Sequence, residues 1–339
     1  MSLDPDKLGR ALARMAGGAS LPLANLVRLS GGANMESWSF DWGGAGYVLR
    51  RAPSAAMMEG RPFGHDVEAK LVRAAHAGGV LAPEIVGELD PEDDLGTGYV
   101  MKRVEAEVNP ATILADPPAS LIADLARELA RIHAITPRDD IGLPHMDTKA
   151  ALAELKRRFA DYGGDRPIIA LAIKWCEDHL PTPATPSLVH GDLRMGNVMV
   201  GPEGLAAVLD WELAHWGDAH EDLAYGCMTV WRFGHIEKPA FGVADLETYF
   251  AAYEAESGGR VERDRFRFWL VYRTLWWALG CMQMAEIWRL GADRNLERAV
   301  IGRRTSENEV DLLLLLEDDA SETERQPIEL PAVAAPRRA

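Results

Sequence analysis

Four residues in one short stretch hold most of the chemical information: His190, Asp192, Asn197 and Asp210. They lie in Leu188-Val-His-Gly-Asp-Leu-Arg-Met-Gly-Asn-Val-Met-Val200 and in Val208-Leu-Asp-Trp-Glu212. Asn197 follows Asp192 by five residues and Asp210 comes thirteen later, with the apolar runs Val198 to Val200 and Ala207 to Leu209 between them. Phosphoryl transfer asks for such a set. It needs a carboxylate to orient and deprotonate an attacking hydroxyl, and oxygen ligands for a divalent ion. Magnesium takes one or two carboxylates together with phosphate oxygens rather than a complete protein cage. Asp192 fits the base, and Asn197 and Asp210 fit the metal ligands. A lone His-Gly-Asp would mean little, because turns favour Asp. The weight rests on three residues at fixed offsets between apolar runs.

Those offsets need a frame. From Ser187 to Trp216 the short apolar runs read as small strands separated by loops, which puts the polar residues at strand ends. Upstream, Leu8, Leu12 and Met15 fall at helical spacing before Gly17-Gly18. Three strands follow, Leu26 to Leu29, Ser37 to Trp42 and Tyr47 to Arg50, with turns at Ser30-Gly31-Gly32 and Gly43-Gly44. A helix over Val67 to His76 and strands near Glu84 to Glu88 and Tyr99 to Val104 complete a compact α+β unit. Beyond Glu105 the pattern is mostly helical. Ser120 is placed to cap a helix with Leu121, Leu125, Leu129 and Ile132 on one face. Further helices fit Thr148 to Tyr162, Pro167 to Leu180, Leu246 to Ser257 and Arg263 to Leu290, and Ser306 with Glu309 forms a capping-box pattern before Leu312 to Leu316. The division is therefore a strand-rich lobe over residues 1–104, a helical lobe over 105–319, and an unstructured Pro-containing tail over 320–339.

The bulk properties narrow the partners. The 339 residues are 47% hydrophobic and 26% charged, ordinary for a globular chain with a core. With 36 basic against 52 acidic residues and a net charge of −16, nucleic acid is not expected as a partner, since its binders need basic surface. The most apolar stretch, Phe266 to Met284, is broken by Arg267 and Arg273 and reads as a buried helix, so no membrane segment is expected. Cys176, Cys227 and Cys281 have no metal-ligand spacing, and no signal-peptide pattern opens the chain. A cytoplasmic setting follows.

Together, the His-Gly-Asp, the Asn and the Asp beyond a short hairpin resemble the aminoglycoside phosphotransferase-like family of small-molecule kinases. Ser30-Gly-Gly-Ala-Asn34 and Tyr47-Val-Leu-Arg-Arg51 are similar to the branch of kinase domains fused to some acyl-CoA dehydrogenases. The resemblance runs from about Leu26 to Leu290 and implies a two-lobed protein-kinase-like fold: a small antiparallel-sheet N-lobe and a larger helical C-lobe. It implies that Asp192 is the catalytic base, that Asn197 and Asp210 hold Mg²⁺, and that His190 props the catalytic loop. It places Arg50 at the nucleotide phosphates with Glu68 as its ion-pair partner, and Gly31 and Gly32 in the turn over them. Asn34 and Ser37 are side-chain candidates for the same phosphates, and Met101 to Val104, including Arg103, become the hinge beside the base. Asp218 and Asp222 match a stretch that braces the catalytic loop. Position 50 is arginine where the family usually has lysine, and the glycine turn lacks GxGxxG. The implied activity is transfer of the γ-phosphate of ATP or GTP to a hydroxyl of a small molecule. Relatives act on aminoglycosides, choline, homoserine and other hydroxylated metabolites. The branch points to a hydroxylated acid or its thioester as much as to an antibiotic, whereas the acidic chain favours amines. Oligomeric state is not encoded in any of these features.

Other readings compete. A nucleotide-binding pseudokinase predicts loss of Asp192, Asn197 or Asp210, and all three are present. A metal-dependent hydrolase would use His190, Asp192, Asp210, His215 and His220, but no HExxH or paired-histidine spacing exists. The tryptophans at 269, 276, 277 and 288 fit core packing better than stacking, and His133 reads as a satisfied core residue. Glu212 and Glu286 are candidates to face a cationic substrate.

Overall fold

The computed structural model describes residues 3–29 and 35–317. Helix α1 (Pro5–Met15) starts at Asp4, whose carboxylate accepts from the amides of Asp6 and Lys7 at 2.9 and 3.3 Å. Strands β1 (Leu23–Arg28), β2 (Glu36–Trp42) and β3 (Ala45–Ala52) come next. Helix α2 (His65–Ala77), β4 (Ile85–Glu88) and β5 (Thr97–Lys102) follow. The five strands form one antiparallel sheet in the order β1-β2-β3-β5-β4. Gly43 and Gly44, both at positive φ, turn β2 into β3. Leu8 and Leu12 of α1 pack on Phe40, Leu49 and Val100 of the sheet, which is why the opening apolar spacing is helical and the strand spacing alternates. Register sets Arg50 opposite Ser37 on one side and Tyr99 on the other.

The helical part opens with α3 (Pro110–Ala115), α4 (Leu121–His133), α5 (Thr148–Asp161) and α6 (Pro167–Asp178). It continues through β6 (Ser187–Val189), β7 (Val198–Gly201), β8 (Gly204–Val208) and β9 (His215–Gly217). Helices α7 (Ala219–Tyr225), α8 (Leu246–Ser257), α9 (Arg263–Leu290), α10 (Leu296–Arg303) and α11 (Thr305–Glu317) finish it. β7 and β8 form a hairpin, and β6 pairs with β9.

Two compact units result. The first joins Met1–Ala153 to Leu180–Arg273 and contains the sheet, α4, the four small strands, α7, α8 and the first turns of α9. The second joins Glu154–His179 to Thr274–Ala339. Its own core includes Phe159, Ile169, Ile173, Leu275, Leu279 and Leu312, and Arg166 of this unit meets Glu309 at 2.7 Å.

Three local expectations are corrected. Ser120 stands before α4, but its hydroxyl donates to Asp124 at 2.8 Å and caps nothing. Ser306 lies inside the first turn of α11, which begins at Thr305, and Glu309 is engaged by Arg166, so no capping box forms there. Trp288 is 43% exposed and not core, whereas Trp269 is buried. Among the described residues no helix is long and apolar enough to cross a membrane. The expected tail over 320–339 lies outside the described residues.

Candidate active site

The loop that carries His190, Gly191 and Asp192 runs between β6 and β7, and its backbone path is dictated from below. Asp222, fully buried on α7, accepts the His190 amide at 2.6 Å and the Gly191 amide at 2.8 Å. Burial opposes the charge on Asp222, but His133 and these amides override it and hold the carboxyl below the usual range. His133 donates to it from α4 at 3.3 Å and meets the Tyr253 hydroxyl of α8 at 2.8 Å. Arg273 of α9 donates to the Gly191 carbonyl at 2.5 Å and to Glu221 at 3.1 Å. Gly191 itself has φ +78°, and a Cβ there would come within 2.5 Å of the Leu213 carbonyl. Only glycine fits that turn without strain.

His190 is fully buried against Trp211, with ring centroids 4.5 Å apart. Its Nδ1 accepts the Asp192 amide at 3.2 Å, so its Nε2 carries the proton donated to the Leu209 carbonyl at 3.1 Å. Burial pushes its pKa down, which keeps the ring neutral in this role. The Leu209 amide in turn donates to the Asn197 carbonyl at 2.8 Å. These two bonds to Leu209 carry its neighbour, Asp210, to the His190–Asn197 loop. Asp210 has φ +65°, a left-handed conformation uncommon outside glycine.

Asp192 is held on both oxygens. Asn197 Nδ2 donates to its Oδ2 at 2.6 Å and to its main-chain oxygen at 2.8 Å, while Arg194 Nε reaches Oδ1 at 3.2 Å. The Tyr225 hydroxyl also bonds to it. Burial, then the charge on Asp192, raises the Tyr225 pKa, so that phenol stays protonated. Both amide hydrogens of Asn197 face Asp192, and the group it presents elsewhere is its oxygen.

From the sheet side, Arg50 of β3 meets Glu68 of α2 at 3.3 Å, Asp210 at 2.7 Å and Glu212 at 2.7 Å. Burial disfavours the guanidinium charge, yet the surrounding carboxylates outweigh it and raise the Arg50 pKa. Glu68 also accepts from the Tyr99 hydroxyl at 3.0 Å, and burial lifts its pKa. Arg61 donates to Glu212 at 2.9 Å. The Glu212 pKa is raised by burial and then by Asp210.

The other sequence candidates are placed as follows. Ser37 is half-buried on β2 beside Arg50. Met101 lies near the end of β5 and Val104 just past it. Arg103 turns back to β2, where it bonds Ser39 at 3.0 Å and Asp41 at 2.9 Å. Gly31, Gly32 and Asn34 lie outside the described residues. Glu286 pairs with Arg289 at 2.6 Å. His215 bonds Glu221 and His220 bonds Asp218, each within 3.1 Å. Among the described residues no three His, Cys, Asp or Glu side chains are grouped to hold a metal ion in the way a hydrolase would need. Asp218 caps α7 and accepts from Arg265 at 2.8 Å and Trp269 at 2.9 Å. Sequence reasoning missed Arg61, Arg194, Tyr225 and the reach of His133 to Asp222. Arg61 sits in an irregular segment with no period to flag it, and Arg273 registered only as a break in an apolar run.

The sequence profile of the phosphotransferase enzyme family matches residues 25–269, from within β1 into the first turns of α9. The chain belongs to the phosphotransferase enzyme family. Solved structures agree on the fold. One is a putative aminoglycoside phosphotransferase from Ralstonia eutropha, with a TM-score of 0.73 at 20% identity, over 94% of this chain and 100% of that one. Another is the spectinomycin phosphotransferase APH(9)-Ia, crystallised with ADP and spectinomycin, with a TM-score of 0.63 at 14% identity, over 93% of this chain and 98% of that one. Two curated relatives are acyl-CoA dehydrogenase family member 10 of Mus musculus and member 11 of Gallus gallus. The first is 25% identical over 75% of this chain and the second 29% over 62%. The chain spans only 26% and 31% of their lengths. Within the phosphotransferase enzyme family the fold is thus a small antiparallel sheet joined to a helical lobe, as the resemblance implied.

Proposed function

We propose that this protein moves the γ-phosphoryl group of ATP or GTP to a hydroxyl of a small molecule, with Asp192 as the base. The supporting observation is the convergence of Asp192, Asn197 and Asp210 on one loop and hairpin, tied together through Leu209. Residues 1–104 serve as the nucleotide lobe and 105–319 carry the acceptor side. Asn197 and Asp210 suit magnesium, since one presents an amide oxygen and the other a carboxylate, the hard oxygen donors that ion takes. When bound there, magnesium neutralises charge on the phosphoryl oxygens.

The chain's own residues do the rest. Asn197 and Arg194 fix the two oxygens of Asp192, so one stays aimed at the acceptor hydroxyl and receives its proton. Arg50, held at Nε by Glu68 and at Nη2 by Asp210 and Glu212, offers its guanidinium charge to the nucleotide phosphates. By the resemblance, Gly31 and Gly32 are assigned to the turn over the phosphates, Asn34 and Ser37 to side-chain contacts with them, and Met101, Arg103 and Val104 to the hinge at the base. The three buried thiols, Cys176, Cys227 and Cys281, suit the reducing cytoplasm.

The test is nucleoside-diphosphate release with ATP and GTP against aminoglycosides, choline, homoserine, and hydroxy acids with their thioesters. Acceptor-dependent release should fall about 10³-fold in Asp192→Ala, while nucleotide affinity is retained. Undiminished turnover in that variant refutes Asp192 as the base. Wild-type protein that binds nucleotide yet turns over no acceptor favours the pseudokinase.

A further inference from the structure

Arg50 fills the role of phosphate cation, yet a second arginine stands beside it. Arg61 lies in the irregular segment between β3 and α2. Gly60, at φ +75°, turns the chain there, the Arg61 amide donates to the Met58 carbonyl at 3.3 Å, and Pro62 fixes the next φ. The side chain is only 13% exposed. Its Nη1 meets Glu212 Oε2 at 2.9 Å, and Arg50 Nη2 meets the same oxygen at 2.7 Å. Two guanidinium groups thus converge on one carboxylate oxygen. Like charges held that close repel unless anions separate them.

The fields of both reach His65, the first residue of α2. Its pKa falls to about 4, through burial first and then through Arg50 and Arg61. The two cations therefore act on one small volume. Arg50 has Glu68 to itself from behind, and Glu68 is also fastened to Tyr99. Arg61 has Glu212, which stands two residues beyond Asp210, a residue that would hold the divalent ion accompanying the phosphates. A triphosphate with its magnesium still carries more negative charge than one guanidinium neutralises, and its oxygens compete well with a carboxylate for a guanidinium fork.

Resting on the phosphotransferase reading, we propose that Arg61 is a second phosphate-binding residue. It exchanges Glu212 for the β- and γ-phosphoryl oxygens of a nucleoside triphosphate, while Arg50 keeps Glu68. Glu212 is then a placeholder that keeps the guanidinium in position between turnovers. No bond is made or broken beyond hydrogen bonds and ion pairs.

Calorimetric titration of ATP and of AMP, each with Mg²⁺, tests this on wild type, Arg61→Ala, Arg61→Lys and Glu212→Gln. Arg61→Ala should weaken ATP about tenfold or more and leave AMP unchanged. Arg61→Lys, which keeps the charge and the packing of the stem, should fall between. Glu212→Gln, which frees the arginine, should bind ATP at least as tightly as wild type. Equal ATP affinity in Arg61→Ala overturns the proposal. So does an equal loss for ATP and AMP in both Arg61→Ala and Glu212→Gln, which would make the pair a structural pin. Wild-type protein that binds neither nucleotide removes the phosphotransferase reading itself, an outcome distinct from the other two.

Discussion

Asp222→Asn is the sharpest probe of how the loop from His190 to Asn197 is held. The carboxylate accepts the amides of His190 and Gly191 at 2.6 and 2.8 Å and the His133 imidazole at 3.3 Å, with no exposure to water. Asparagine keeps one oxygen and turns an NH₂ towards a donor that previously found an acceptor. One charge-assisted hydrogen bond is lost, about 2 kcal/mol, and one buried N–H is stranded, about another 2 kcal/mol. A cost of about 4 kcal/mol is a large share of the roughly 5–15 kcal/mol by which such chains are stable. Urea denaturation of wild type and variant at neutral pH reads that loss directly. The same variant, assayed below its melting range, should lose kcat more than nucleotide affinity, because the displaced backbone carries Asp192. A destabilisation under about 1 kcal/mol together with unchanged kcat would refute the claim that Asp222 sets the loop.

Two further outcomes test the same structure elsewhere. His65 has a native pKa of about 4 against an ordinary value of 6.5, so between those limits the unfolded chain binds the extra proton. Its contribution is complete above pH 6.5 and is lost as pH falls to 4, about 3 kcal/mol in all. His65→Gln should therefore flatten the pH dependence of denaturant stability across that window, and an unaltered slope would contradict it. Arg51→Met leaves the buried Glu36 without bonds at 2.8 and 3.0 Å, while the Trp38 indole at 3.2 Å and Arg28 at 3.5 Å remain to offset its charge. The variant should lose about 3 kcal/mol of stability, and the double replacement of Glu36 and Arg51 by apolar residues should recover part of it, because the Leu95 carbonyl still lacks its Arg51 donor. Recovery is read by the same denaturation series.

What the sequence disclosed followed from periodicity. The alternation through Ser37 to Trp42 and the apolar run of Tyr47 to Leu49 matched β2 and β3, whose Phe40, Trp42 and Leu49 pack with α1. The runs at Val198 to Val200 and Ala207 to Leu209 matched the hairpin because apolar side chains on β7 and β8 are buried. Helix α10 gave no such signal: Leu296 and Val300 are exposed, so no apolar stripe marks it. Ser120 and Ser306 had the right residue types for caps, but local carboxylate and backbone geometry took the serine at 120 elsewhere and α11 began a residue before 306. The polar network was readable only in part. Asp192, Asn197 and Asp210 are separated by fixed short distances along the chain, whereas Arg61 and Glu212 meet across 151 residues and leave no local trace. His133 was read correctly as satisfied, but only the packing of α4 against α7 and α8 reveals that its partners include Asp222.

The brace beneath the His190–Asn197 loop takes hold of peptide groups. Asp222 grips two amides and Arg273 a carbonyl, all belonging to His190 and Gly191. A grip on main-chain atoms is indifferent to which side chains stand above it. Inheritance of the frame and drift of its ornament are thereby uncoupled. A lineage built on such a loop can change what it recognises by single substitutions, without first surviving a disordered intermediate.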